Sequence, residues 1–157
     1  MTSSYNGRLY NTGFYNNTYS IPDVILTGCY DLIHRGHIEL FKFASSYGKI
    51  TVVIDSDEKI KKDKGLDGPF NTLKDRIFVL EGMKYIDKVI SFDNEEELKI
   101  LLKVIRPYYR ICGSDWKDKE IVGKEYCKNI IFFDRIEKYS TTNVLNNKKP
   151  LWNICST

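Results

Sequence analysis

At 157 residues the chain fits one domain able to hold a core without cross-links. A formal charge of +3 is too small to point to nucleic acid by itself. No apolar stretch approaches the roughly 18 residues of a membrane span, and Cys29, Cys112, Cys127 and Cys155 show no paired spacing. Together with an opening that lacks a charged-then-apolar leader, this predicts a reducing, cytosolic compartment.

Residues 1–20, rich in Tyr, Asn, Ser and Thr with hardly an aliphatic side chain, read as a flexible N-terminal arm, and residues 21–157 as the folded domain. After Pro22 come short apolar runs of the kind found in buried strands: 24–28 (VILTG), 50–55 (ITVVID), 88–92 (KVISF), 109–112 (YRIC) and 130–133 (IIFF). Between them lie stretches with helical spacing. HIELFKFASSYG stops at Gly48, and NEEELKILLKVIRP opens on an Asn94 cap with an acidic first turn and stops at Pro107. The lysine-rich segment Lys59, Lys61, Lys62 and Lys64 reads as a loop after the second strand, and RIFVLEGM as a helix opened by Arg76. Strand–helix alternation predicts an α/β fold: a parallel sheet of about five strands with helices on both faces, its ligands outside the carboxyl ends of the strands.

TGCYDLIHRGHIEL, residues 27–40, holds the chain's two histidines, His34 and His37, with Gly36 between them. A helix beginning near Gly36 directs free N–H groups and the positive end of its dipole toward the strand ends, where an anion is favoured. Gly36 lets a phosphate approach the backbone, and the imidazoles add donors. Two other readings of the pair stay open: structural histidines satisfied within the core, or metal ligands together with Cys29. The latter set lacks a fourth ligand and matches no common zinc spacing, so no metal site is assigned. The glycine-rich phosphate loops of P-loop and dinucleotide-binding proteins are absent, as is a nucleophile elbow.

The frame G-x-x-D-x-x-H-x-G-H, carried by Gly28, Asp31, His34, Gly36 and His37, resembles that of the cytidylyltransferase-like nucleotidyltransferases. The resemblance runs from about residue 24 to 146 through SDEKIKKDKG, NTLKDRIFVLEGMKYIDKVISF, CGSDWKDKEIVGKEY and STTN, in the family's order. It implies a Rossmann-like fold, often dimeric, and transfer of a nucleotidyl group from an NTP, with Mg²⁺, to a phosphorylated sugar or polyol with release of pyrophosphate. By the same resemblance His34, His37 and Lys64 are catalytic. Thr27, Gly28, Gly36, Lys61, Arg76, Ser140, Thr141 and Thr142 contact nucleotide phosphates, and Asp115, Trp116 and Arg135 contact the acceptor or the base. For the lysines a solvated charge run is the plain alternative, for Arg76 a surface ion pair, and for Ser140 to Thr142 an ordinary helix cap.

Three departures touch acceptor and phosphate contacts: Gly68 where many relatives carry an arginine, Cys112-Gly113-Ser114-Asp115 where sugar-phosphate relatives often read K-G-G-D, and Glu137-Lys138-Tyr139 before the S-T-T block. Two subgroups are similar to the chain. The stretch 91–126 with STTNVL follows the heptose 1-phosphate adenylyltransferases, while Arg135 and Glu137 ahead of Ser140 resemble the glycerol-3-phosphate cytidylyltransferases. Length of match favours adenylyl transfer to a sugar 1-phosphate. An alternative of another class is a nucleotide-binding module that kept the fold without turnover.

Overall fold

The computed structural model describes residues 4–5, 8–9, 23–65 and 68–134. Near the start, β1 (Ser4–Tyr5) and β2 (Arg8–Leu9) pair antiparallel, a local hairpin in the segment read as an arm. The main sheet comprises β3 (Val24–Gly28), β4 (Ile50–Asp55), β5 (Lys88–Phe92), β6 (Tyr109–Gly113) and β7 (Asn129–Phe133). Its five strands are all parallel in the order β5-β4-β3-β6-β7. The chain winds outward from β3 to β5 and then returns to the other side of β3 for β6 and β7. The winding therefore reverses beside β3, and a crevice opens there at the strand ends.

Alternation of side chains across the pleat divides the core into two layers. Val24, Leu26, Ile50, Val52 and Ile54 pack with Phe41 and Ala44 of α1 (Arg35–Ser45) and Leu80 of α3 (Leu73–Glu81). On the opposite face, Ile25, Val53 and Phe92 pack with Leu98 and Leu102 of α4 (Glu95–Ile105). Burial on both faces explains why the strands read as continuous apolar runs instead of alternating ones. Helix α4 starts as its sequence dictates: Asn94 Oδ1 accepts the Glu97 N–H at 2.9 Å, and three glutamates fill the first turn.

Two boundaries differ from the sequence reading. The lysine-rich segment is the helix α2 (Asp57–Lys64), not a loop. Ser56 caps it by accepting the Lys59 N–H at 3.2 Å, with Asp57 and Glu58 in the first turn and Lys61, Lys62 and Lys64 in the last. Capping and charge order complement the dipole, whereas the apolar signal is a single buried residue, Ile60. Helix α3 begins at Leu73, because Thr72 is its cap, and Arg76 therefore sits one turn inside the helix instead of opening it. Gly48 lies past the end of α1, which closes at Ser45. Its φ is +136°, and a Cβ there would fall 2.3 Å from the Asp23 Cβ, so only glycine fits.

Candidate active site

The last residues of the strands, Gly28, Asp55, Phe92, Gly113 and Phe133, all border one cleft of about 730 Å³, within the range of small-molecule sites. The turn after β3 and the start of α1 place both histidines on its wall. His34 is the cap residue of α1, with extended backbone, and His37 is the third helical residue. Their rings stack with centroids 3.8 Å apart and planes 23° apart. The His34 backbone N–H points at His37 Nδ1, at a long 3.4 Å. Acting as acceptor there, a neutral His37 carries its proton on Nε2. The buried Tyr30 ring meets His37 edge-on at 5.4 Å and holds its orientation from beneath.

Of the residues singled out in the sequence, the cleft brings together Thr27, Gly28, His34, Gly36, His37, Lys64, Asp115 and Trp116. Asp115 and Trp116 lie on the 3-10 turn Ser114–Trp116 that follows β6, with the indole 42% exposed. Lys61 is absent from the cleft wall and pairs with Glu58 at 3.1 Å. Arg135, Ser140, Thr141 and Thr142 lie outside the described residues.

Arg76 is 1% exposed and off the cleft wall, so it is not the surface ion pair that was its alternative. Its guanidinium donates to the carbonyls of Cys29 at 2.7 Å and Asp55 at 2.9 Å, and through Nε to that of Asn71 at 3.2 Å. The remaining nitrogen meets Asp57 Oδ1 at 2.8 Å. One side chain thus ties the ends of β3 and β4 to the start of α2. Although burial acts to raise it, the Asp57 carboxyl is held below its ordinary range by the Leu73 N–H and by Arg76.

Asp31, the acid of the histidine frame, fastens the segment that faces them. Its carboxylate accepts the N–H groups of Phe70 at 2.6 Å and Asn71 at 2.8 Å, and its carbonyl accepts the Asn71 side-chain amide at 3.0 Å. This brings Gly68 and Pro69 to the cleft wall.

Two basic lining residues were not among the expected site residues. Lys59 lies between Asp63 at 2.5 Å and Asp55 at 3.4 Å. Burial pushes the Asp55 carboxyl up, against the opposing pull of Lys59. Arg110 sits in the middle of β6, 4% exposed. Its signal was the interruption of the apolar run YRIC by a charge inside a strand buried on both faces. The Cys29 thiol is raised by burial, which outweighs Lys64 and Arg76, and it remains protonated at neutral pH. Among the described residues no group of three or more His, Cys, Asp and Glu side chains is arranged to hold a metal, and no helix is long and apolar enough to cross a membrane.

A cleft lined by two stacked imidazoles at a helix start and by a lysine suits a polyanion undergoing transfer at phosphorus. Comparison with known proteins agrees. The chain is 38% identical over 125 residues to the bifunctional protein HldE of Helicobacter hepaticus, covering 79% of this chain and 26% of that protein. To HldE of Campylobacter concisus it is 35% identical over 131 residues, covering 83% of the chain and 28% of the relative. The chain thus spans about a quarter of the length of these relatives. The fold is shared with the lipopolysaccharide core biosynthesis protein of Thermoplasma volcanium, with a TM-score of 0.60 at 20% identity over 74% of this chain and 97% of that one. Residues 25–147 match the family described as cytidylyltransferase-like, and the chain belongs to these nucleotidyltransferases.

Proposed function

We propose that the protein transfers a nucleoside monophosphate from an NTP to a phosphorylated sugar or polyol and releases pyrophosphate, by preference adenylyl transfer to a sugar 1-phosphate of the heptose kind. The observation that carries the reading is the stacked His34–His37 pair, 3.8 Å between centroids, at the amino end of α1 in the cleft formed by the strand ends. An oxygen of the acceptor phosphate attacks the α-phosphorus. The bond from that phosphorus to the bridging oxygen breaks, and pyrophosphate leaves with the electron pair. No covalent enzyme intermediate is needed, so the protein's work is positioning and charge stabilisation.

His37, donating through Nε2, and His34 face the charge that develops on the α-phosphate, assisted by the helix dipole. Lys64, at the last position of α2 and on the cleft wall, serves the same polyanion. Mg²⁺ enters with the triphosphate as part of the substrate. Three of the acids bordering the cleft are already engaged, Asp55 and Asp63 by Lys59 and Asp31 by the Phe70 and Asn71 N–H groups, which supports this reading. The preference for adenylyl over cytidylyl transfer rests on the length of the sequence match through residues 91–126. A homodimer and a cytosolic location are proposed with it, on the family resemblance and the unpaired cysteine spacing. The test is a panel of ATP, CTP, GTP and UTP crossed with heptose 1-phosphate and glycerol 3-phosphate, read as pyrophosphate. ATP with the sugar phosphate is the expected pair; CTP with the polyol would reverse the subgroup, and tight NTP binding without pyrophosphate across the panel would make the protein a binding module.

A further inference from the structure

Among the described residues, Arg110 is a charge buried without a counter-charge. It is 4% exposed, lines the cleft, and is in no ion pair among the described residues. Its Nη1 donates to the Val122 carbonyl and its Nη2 to Thr27 Oγ1 at 3.3 Å, while Nε is buried with no hydrogen-bond partner. The Cys112 and Cys127 thiols lie within hydrogen-bonding reach of the guanidinium but do not neutralise it. Burial raises both, more than Arg110 lowers them, so they stay protonated near neutral pH. A guanidinium held in a low-dielectric wall with an unused donor is costly unless an anion completes it. Arg76 makes the contrast: it is equally buried, but it has Asp57.

Position identifies which anion. Arg110 is in register with Ile25, whose side chain belongs to the layer under α4. His37 instead packs on Tyr30 and Phe41, which belong to the layer under α1. The imidazoles and Arg110 therefore reach the cleft from opposite faces of the sheet. Displacement at phosphorus needs the entering and leaving oxygens in line on opposite sides, and two polyanions need separate sets of cations. We propose that Arg110 binds the phosphate of the acceptor through charge-assisted hydrogen bonds from its guanidinium. Its hold on Thr27 and on Val122 aims it from β6 toward the strand ends and joins it to the segment carrying Asp115 and Trp116. The proposal rests on the transfer reading for the word acceptor, though the oxyanion site itself does not.

The experiment compares Arg110→Met and Arg110→Lys with the unaltered full chain, after thermal melts establish that each variant folds. In turnover with heptose 1-phosphate or glycerol 3-phosphate, Arg110→Met is expected to raise KM for the phosphorylated acceptor about 10- to 100-fold. KM for the NTP should stay within about two-fold, and Arg110→Lys should recover part of the loss. A second arm needs no turnover: calorimetric titration of glycerol 3-phosphate, heptose 1-phosphate and inorganic phosphate in the absence of NTP. Binding should be lost in Arg110→Met and retained in Lys64→Ala. If the unaltered chain turns over no pair, the transfer reading fails while this titration still decides the Arg110 site. Unchanged acceptor binding in Arg110→Met, a loss confined to the NTP, or no phosphate binding by the unaltered chain would each overturn the proposal.

Discussion

The His34 and His37 rings lie stacked, 3.8 Å between centroids, because a single helical turn separates a cap residue from the third residue of α1. Three-residue spacing alone puts side chains on one face of a helix; the extended backbone of His34 then brings its ring over that of His37 instead of away from it. Replacing either histidine by alanine removes one donor to a developing charge. Each variant should lose roughly 10²–10³ in kcat while its melting temperature stays within a few degrees. Initial rates of pyrophosphate release at saturating substrates measure this, and near-normal rates in both variants would contradict the assignment.

The three lysines at the end of α2 should separate in the same assay. Lys64 borders the cleft, Lys62 is exposed, and Lys61 is spent on Glu58 at 3.1 Å. Lys64→Ala is expected to reduce kcat/KM for the NTP by about ten-fold or more, the scale of a charge-assisted hydrogen bond. Lys61→Ala and Lys62→Ala should each fall within about two-fold of the unaltered chain. Equal small effects in all three would return the segment to a solvated helix end.

Arg76 should show itself in stability first. Substitution by alanine removes the donor to the carbonyls of Cys29, Asp55 and Asn71 and leaves Asp57 without its cationic partner. A loss of about 3–5 kcal/mol is expected, read as a fall in the urea midpoint. Arg76→Lys should recover only part of it, because an ammonium cannot span the four acceptors. A near-neutral Arg76→Ala would contradict its role as the tie between β3, β4 and α2.

Acid should weaken the fold through Asp57. Its folded-state pKa is depressed, so the stabilisation is present above the unfolded value of about 4 and is lost as pH falls through the folded value. Urea midpoints should therefore decline as pH drops below about 4, and Asp57→Asn should flatten that limb. An unchanged limb in the variant would assign acid sensitivity to other carboxylates.

The sheet was legible in the sequence because strands buried on both faces must be apolar runs, and those beginning at Val24 and Ile50 match β3 and β4 end to end, while KVISF matches the edge strand β5, whose Lys88 and Ser91 are exposed. Helix α2 was not, since caps and charge order hold it while its single buried Ile60 gives no period. The histidine frame was legible as local spacing. What spacing could not reveal was division of labour among arginines: Arg76, picked out as a phosphate contact, is absent from the cleft wall and is held by four backbone and carboxylate partners behind it. Arg110, hidden in an apolar run, faces it. Both roles depend on contacts across 20 or more residues of chain, such as Arg110 with Thr27 and Arg76 with Cys29, which no local pattern records.

The central claim is nucleotidyl transfer at the His34–His37 cleft. Its most direct measurement supplies NTP labelled at the α-phosphorus, with Mg²⁺ and either heptose 1-phosphate or glycerol 3-phosphate, and follows where the label goes. Label is expected in a nucleoside diphosphate-linked product with one pyrophosphate released per transfer, and both should be lost together in His37→Ala. Label that stays in the NTP while the protein binds it tightly, or transfer that persists undiminished in His37→Ala, would contradict the claim.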